Sequence, residues 1–259
     1  MFRTVANRIQ WCGTERIIAV VSDIHANREA LEAVLESISD AGFDKVVSLG
    51  DLVGYGVDFD YCIAAVSERA DVSLMGNHDA AAAGTDSPAG SMRQMNPHAR
   101  KSAEWTIKNL SVEQKNYLSN LEMSHSEDGL LFVHSAPTSP GEWDYISDWT
   151  SAAVHLGSFA EHLCFVGHSH IPGIYFEDEG CRHTGEGEVK LPSEQRAIIN
   201  VGSVGQPRDG DPRACHIILD TVKETVEFIR VSYDIQKAAE KISMAGISEF
   251  LARRLFLGI

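Results

Sequence analysis

Six short apolar runs punctuate this chain, and each ends abruptly in glycine, asparagine, aspartate, serine or histidine. They are Ile17–Val21, Val46–Leu49, Val72–Met75, Leu130–Val133, Leu163–Val166 and Ile198–Val201. Each is too short for a buried helix and rich in β-branched residues. Each therefore reads as a buried strand whose C-terminal end opens into a polar loop. In open α/β sheets, ligands collect outside those carboxyl ends. A chain built this way concentrates its chemistry at one edge.

Helices fit between the strands. Asn27 is placed to cap a helix carrying Leu31, Val34, Leu35 and Ile38 at helical spacing, with Gly42 as its stop. Further helices are expected over 58–70, 97–110 and 149–161, and from Ser111 to Leu121, where Ser111 and Gln114 have capping-box spacing. After His170 the pattern turns to strands, at Ile174–Phe176, Ala197–Val201, His216–Leu219 and Val226–Val231. The polar segment 177–195 reads as a long hairpin loop. The expectation is one α/β domain over residues 1–259, with a helical excursion over 80–125 and a helical tail over 235–259. In that tail Leu251, Leu255, Phe256 and Leu257 can pack on the chain's own domain or dock a second copy in a homo-oligomer.

Composition narrows the function. Of 259 residues, 22 are Lys or Arg and 37 are Asp or Glu, a formal charge of −15, with 44% hydrophobic and 23% charged residues. That mixture excludes a mainly disordered chain, a collagen-like chain and a small disulfide scaffold. No apolar run approaches the ~20 residues that span a bilayer, and the first 16 residues, with Arg3, Arg8, Glu15 and Arg16, carry no secretory pattern. Cys12, Cys62, Cys164, Cys181 and Cys215 are scattered and form no Cys-x-x-Cys, as expected of reduced thiols in the cytoplasm. The acidic balance argues against a partner such as duplex nucleic acid. It leaves room for an anionic substrate, because bound metal ions reverse the local field.

The strand ends carry, in order, Asp23-Ile24-His25, Gly50-Asp51, Gly76-Asn77-His78-Asp79, His134, Gly167-His168-Ser169-His170 and Asn200-Val201-Gly202-Ser203. Singly, an Asp-x-His pair, a Gly-Asp turn or a lone histidine is an ordinary surface or loop feature. The ordered set is another matter. Its imidazoles and carboxylates suit Mn, Fe, Zn or Ni, and one carboxylate can use both oxygens on two ions. Two divalent metal ions so placed clamp a phosphoryl oxygen and acidify a bridging water. His98, His125, His155, His162, His183 and His216 belong to no such block, and Cys181 with His183 lacks partners for a soft metal.

The order Asp-x-His, Gly-Asp, Gly-Asn-His-Asp, His, Gly-His-x-His resembles the calcineurin-like metallophosphoesterase superfamily. The words Ser22–Asn27, Gly50–Gly56 and Gly202–Arg208 resemble its small prokaryotic branch of predicted phosphodiesterases. The resemblance implies a two-sheet αββα sandwich with a di-metal site at the C-terminal strand ends. It implies that Asp23, His25 and His170 hold one metal, that Asn77, His134 and His168 hold the other, and that Asp51 bridges both. Manganese is the first expectation for the pair. His78 then faces the substrate as the catalytic histidine, and Asp79 orients a histidine or its loop. The implied reaction is hydrolysis of small soluble phosphate esters, phosphodiesters or nucleotides, by in-line attack of a metal-bridging hydroxide.

One departure stands out. The phosphoprotein phosphatases of the superfamily follow Gly-Asp with an Asp-Arg pair, where this chain has Gly54-Tyr55. A phosphoprotein substrate is disfavoured accordingly, and the phosphate needs another grip. Arg208 is the candidate, against pairing with Asp209 or Asp211 at the surface, and Tyr55 is a candidate wall of the substrate site. A non-catalytic scaffold on the same fold is the competing class, but this chain keeps His78 and all seven expected ligands.

Overall fold

The computed structural model describes residues 15–85, 92, 95–178, 180–182, 185–192 and 195–259. Within them, helices alternate with strands through the first half of the chain: β1 (Ile17–Val21), α1 (Arg28–Ala41), β2 (Lys45–Ser48), α2 (Phe59–Arg69), β3 (Val72–Ser73), α3 (Asn77–Ala83), α4 (Pro97–Asn109) and α5 (Val112–Ser119). The second half is mostly strand: β4 (Ser124–Glu127), β5 (Leu130–Val133), then α6 (Trp149–Leu156), β6 (Leu163–Val166), β7 (Gly173–Phe176), β8 (Gly180–Arg182), β9 (Gly187–Lys190), β10 (Ala197–Asn200), β11 (Ala214–Asp220) and β12 (Thr225–Val231). Helices α7 (Ile235–Met244) and α8 (Glu249–Arg254) close the chain.

The strands form two six-stranded sheets, ordered β3-β2-β1-β11-β12-β9 and β4-β5-β6-β10-β7-β8. Strands β1, β2 and β3 run parallel, as do β5, β6 and β10. The six runs anticipated from sequence are these six strands. Each parallel set therefore aims its C-terminal ends the same way.

Period-two alternation splits every inner strand between two cores. Ile18 and Val20 of β1 meet Leu163 and Phe165 of β6 between the sheets, where Phe132, Ile199, Ile217 and Phe228 also pack. Ala19 and Val21 face the other way, onto Leu31, Val34 and Ile38 of α1 and Cys62 and Val66 of α2. Cys164 and Val166 face Ala152 and Leu156 of α6. Helix, sheet, sheet, helix is the resulting order of layers, an αββα sandwich. Strands covered on both faces carry apolar residues on both, which explains the near-continuous runs.

Local signals set the element ends. The Asn27 side chain accepts from Ala30 N. The Ser111 hydroxyl accepts from Gln114 N while the Gln114 side chain accepts from Ser111 N. Three expectations change. The helix expected over 149–161 stops at Leu156, ahead of Gly157. Strand β4 reads Ser-His-Ser-Glu, too polar to announce itself, and pairs with β5 at a sheet edge. Segment 177–195 is not one hairpin loop: β8 pairs with β7 in one sheet, and β9 crosses to pair with β12 in the other. Of the tail, Leu251 and Leu255 bury against Tyr55 and Ala99 in the chain's own core, while Phe256 and Leu257 stay exposed. Residues 1–14 with Cys12, and also His183, lie outside the described residues, as does the Cys181 side chain. No helix among the described residues is long and apolar enough to cross a membrane.

Candidate metal centre

The C-terminal ends of β1, β2, β5 and β6, with the N-terminus of α3, converge on one buried cluster. Asp23, His25, Asp51, Asn77, His78, His134, His168 and His170 are all buried. His170 Nε2 lies 3.3 Å from Asp23 Oδ1 and 3.2 Å from His25 Nε2. Asp51 Oδ2 lies 3.6 Å from His25 Nε2 and 3.5 Å from His134 Nε2. Two groups follow, Asp23 with His25 and His170, and Asp51 with His134 and His168, each with its ligand atoms within 4.8 Å of one another. His25, Asp51 and His78 form a third such group. Asn77 sits beside them as the first residue of α3.

Backbone carbonyls set the direction of each imidazole. His25 Nδ1 donates to Val53 O, His134 Nδ1 to Leu49 O and His170 Nδ1 to Gln206 O. His168 is reversed, its Nε2 donating to Trp143 O at 3.0 Å. A carbonyl only accepts, so the proton is fixed on the outer nitrogen and the inner nitrogen turns to the centre. Asp23 Oδ1 and His134 Nε2 are buried there and make no hydrogen bond. Buried polar atoms are seldom left that way. Two buried carboxylates, oriented imidazoles and these open atoms fit divalent metal ions.

The carboxylates are held ready. Burial pushes the Asp23 carboxyl up, but His170 and His134 outweigh it and hold the group below its ordinary range. Asp51 is likewise pulled well down against burial by His134, His78 and His25. Burial depresses His25, takes His168 to about 3 and takes His78 to about 4. His134 goes the other way: the Asp51 and Asp23 carboxylates overcome burial and raise it to about 9.

Asp79 orients the loops rather than facing the centre. Its carboxylate accepts from Leu52 N, Val53 N and Gly76 N, which ties the Gly-Asp turn to the Gly-Asn-His-Asp turn. Burial and the Asp51 charge push it up to about 7. Gly54 lies against His78: a Cβ there would meet His78 Nδ1 at 2.3 Å, and its φ is +87°. The loop thus closes over the histidine without offering it a carboxylate. The next residue, Tyr55, places its ring 4.6 Å from His78 and 4.5 Å from His25. Its hydroxyl accepts from Arg208 Nη2 at 3.2 Å.

Arg208 is not a surface ion pair. Asp209 pairs with the buried Arg230 and Asp211 with Arg213, while Arg208 Nη2 donates to Gln206 Oε1 and Tyr55. Its Nε is buried without a hydrogen-bond partner. The sixth strand end buttresses this loop: Asn200 Nδ2 donates to Gly167 O, and Ser203 Oγ donates to Asp23 O.

Sequence reasoning missed Trp143 and Tyr145. With Tyr55, Asn77, His78 and His168 they line a cleft of about 190 Å³. Two aromatics in a Pro- and Gly-containing stretch just after His134 were the available signal.

Comparison with known proteins identifies the family. Residues 17–224 match the model of the calcineurin-like phosphoesterase superfamily domain. An uncharacterised protein of Methanocaldococcus jannaschii is 38% identical over 247 residues, 93% of this chain and 98% of that one. A metallophosphoesterase from Sphaerobacter thermophilus is 40% identical with a TM-score of 0.84, over 95% of this chain and 100% of that one. A hypothetical protein from Pyrococcus horikoshii shares the fold at 19% identity, TM-score 0.74, over 94% and 98%. A match over most of the length, on a sandwich whose strand ends gather this ligand set, means that the chain belongs to the calcineurin-like phosphoesterase superfamily.

Proposed function

We propose that this protein is a di-metal phosphoesterase that hydrolyses small soluble phosphate esters, phosphodiesters or nucleotides, in the cytoplasm. The observation that carries the reading is the position of Asp51, whose Oδ2 stands between His25 Nε2 at 3.6 Å and His134 Nε2 at 3.5 Å. Asp23, His25 and His170 would hold one ion, and Asn77, His134 and His168 the other, with Asp51 shared. The mixed nitrogen and oxygen donors suit Mn, with Fe, Zn or Ni as alternatives. Such a pair, when bound, supplies Lewis acidity at phosphorus and a water of lowered pKa.

The chain's own residues do the rest. His78 is buried, and its Nδ1 makes no hydrogen bond. It can bond a phosphoryl oxygen or pass a proton to the leaving oxygen. Arg208, positioned by Tyr55 and Gln206, neutralises charge on the phosphoryl group. Gly54 in place of a carboxylate beside His78 supports a small-molecule ester over a phosphoprotein.

Hydrolysis of bis(p-nitrophenyl) phosphate with Mn²⁺ tests the reading against a non-catalytic scaffold, which would show none. His78→Ala should keep its metal content and lose roughly 10²- to 10⁴-fold in turnover, the usual contribution of a positioned acid or base. Near-normal rates in that variant would remove His78 from the mechanism.

A further inference from the structure

Tyr145 is exposed for 55% of its surface, yet it stands over a buried polar cluster. Its ring stacks on His168 with centroids 4.0 Å apart and planes 20° from parallel. Trp143, two residues earlier, is buried and packs edge-on to His134 at 6.1 Å. The loop that presents them is costly to build. Ser139 and Trp143 both take left-handed backbone, with φ of 59° and 60°, a conformation that disfavours residues with a Cβ. It is pinned to the centre through Trp143 O, which accepts from His168 Nε2. The position of the Tyr145 ring is therefore tied to the ligand beneath it.

The cleft has two kinds of surface. Its floor is polar, with Asn77, His78 and His168, and its walls are Tyr55, Met95, Trp143 and Tyr145. A phosphoryl group suits the floor. The walls suit a flat, apolar group, and a ring half open to solvent has a face free to receive one. Arg208 Nη2 donates to the hydroxyl of Tyr55, itself one wall of the cleft.

We propose that Tyr145 is a specificity-determining residue that selects phosphate esters carrying a planar aromatic substituent, an aryl group or a nucleobase, by stacking on it. The proposal rests on the phosphoesterase reading and names the substrate class of that site.

The test compares paired competitive inhibitors on wild type, Tyr145→Ala and Tyr145→Phe, with Mn²⁺ present. Methyl p-nitrophenyl phosphate is the reporter substrate. Phenylphosphonate against methylphosphonate reads an aryl group, and adenosine 5′-phosphate against ribose 5-phosphate reads a nucleobase. Tyr145→Ala should weaken the aromatic member of at least one pair roughly tenfold relative to its partner, the scale of losing one stacking contact. Tyr145→Phe should keep the wild-type ratio. Loss of metal through damage to His168 would weaken both members of a pair alike, so the ratio isolates stacking. Unchanged ratios in both pairs would overturn the role of Tyr145 and leave the phosphoesterase standing. If wild type hydrolyses neither the reporter nor bis(p-nitrophenyl) phosphate, the phosphoesterase reading falls and takes this proposal with it.

Discussion

Asp23, His25, Asp51, His168 and His170 all take left-handed backbone, with φ between 50° and 63°. For residues with a Cβ this conformation is uncommon and costs of order 1–3 kcal/mol each. Five such positions around one centre must be held by their surroundings, and Asp79 is the clearest holder. We expect Asp79→Ala to strand three buried N–H groups, at roughly 1–3 kcal/mol each. Urea unfolding should then show a loss of about 3 kcal/mol or more, with Asp79→Asn losing less because it keeps one acceptor oxygen. An alanine variant within about 0.5 kcal/mol of wild type, the range of an indifferent surface change, would contradict this account. Side-chain identity at these positions was readable from the words Asp-x-His and Gly-Asn-His-Asp. Their strained backbone was not, because sterics disfavour it and only tertiary contacts impose it.

Elements built on periodicity were legible, and elements built on pairing were not. Helix α1 carried both its stripe and its cap in the sequence. Strands β4, β8 and β9 carry neither alternation nor apolar runs, since edge strands need bury only one side or none. Helix α7 adds an electrostatic tether. Lys241 Nζ reaches Glu29 Oε1 at 2.7 Å and Asp58 Oδ2 at 2.6 Å, and Lys237 Nζ lies 3.1 Å from Glu29 Oε1. Burial pushes the Glu29 carboxyl up, but Lys241 and Lys237 outweigh it and leave it below its ordinary value. A depressed carboxyl contributes stability that is present above its unfolded pKa, about 4.3, and lost as pH falls through the folded value. Thermal unfolding should therefore find Glu29→Gln less stable than wild type at pH 7, with the gap closing below about pH 4. A gap independent of pH would show that the tether is packing and not charge.

At the scale of the whole molecule, a chain of formal charge −15 gathers two buried carboxylates among inward-turned imidazole nitrogens. Divalent ions that bind only the folded state stabilise it by mass action. Mn²⁺ should raise the melting temperature, and chelation should lower it. Asp51→Asn, which removes the shared charge, should abolish most of the rise and reduce the bound metal measured by elemental analysis. Two tightly held ions in that variant would refute a bridging role. The layered fold itself follows from burial: parallel strands apolar on both faces need cover on both, and helices on the outside of two facing sheets provide it.

Local chemistry along the chain was enough to specify the inner strands, the caps at Asn27 and Ser111 and the residue types of the centre. Each depends on neighbours within a few positions: an apolar run, a side chain that reaches its own backbone, a polar residue placed just past a strand. What folding in three dimensions decided were relations across long separations. Asp209 turned to Arg230 and Asp211 to Arg213, which left Arg208 to Tyr55 and Gln206. Trp143 lent its carbonyl to His168, and Tyr145 came to rest on that ring. Pairings of this kind are settled by which surfaces the packed sheets bring within a few ångströms, and no local pattern encodes that distance.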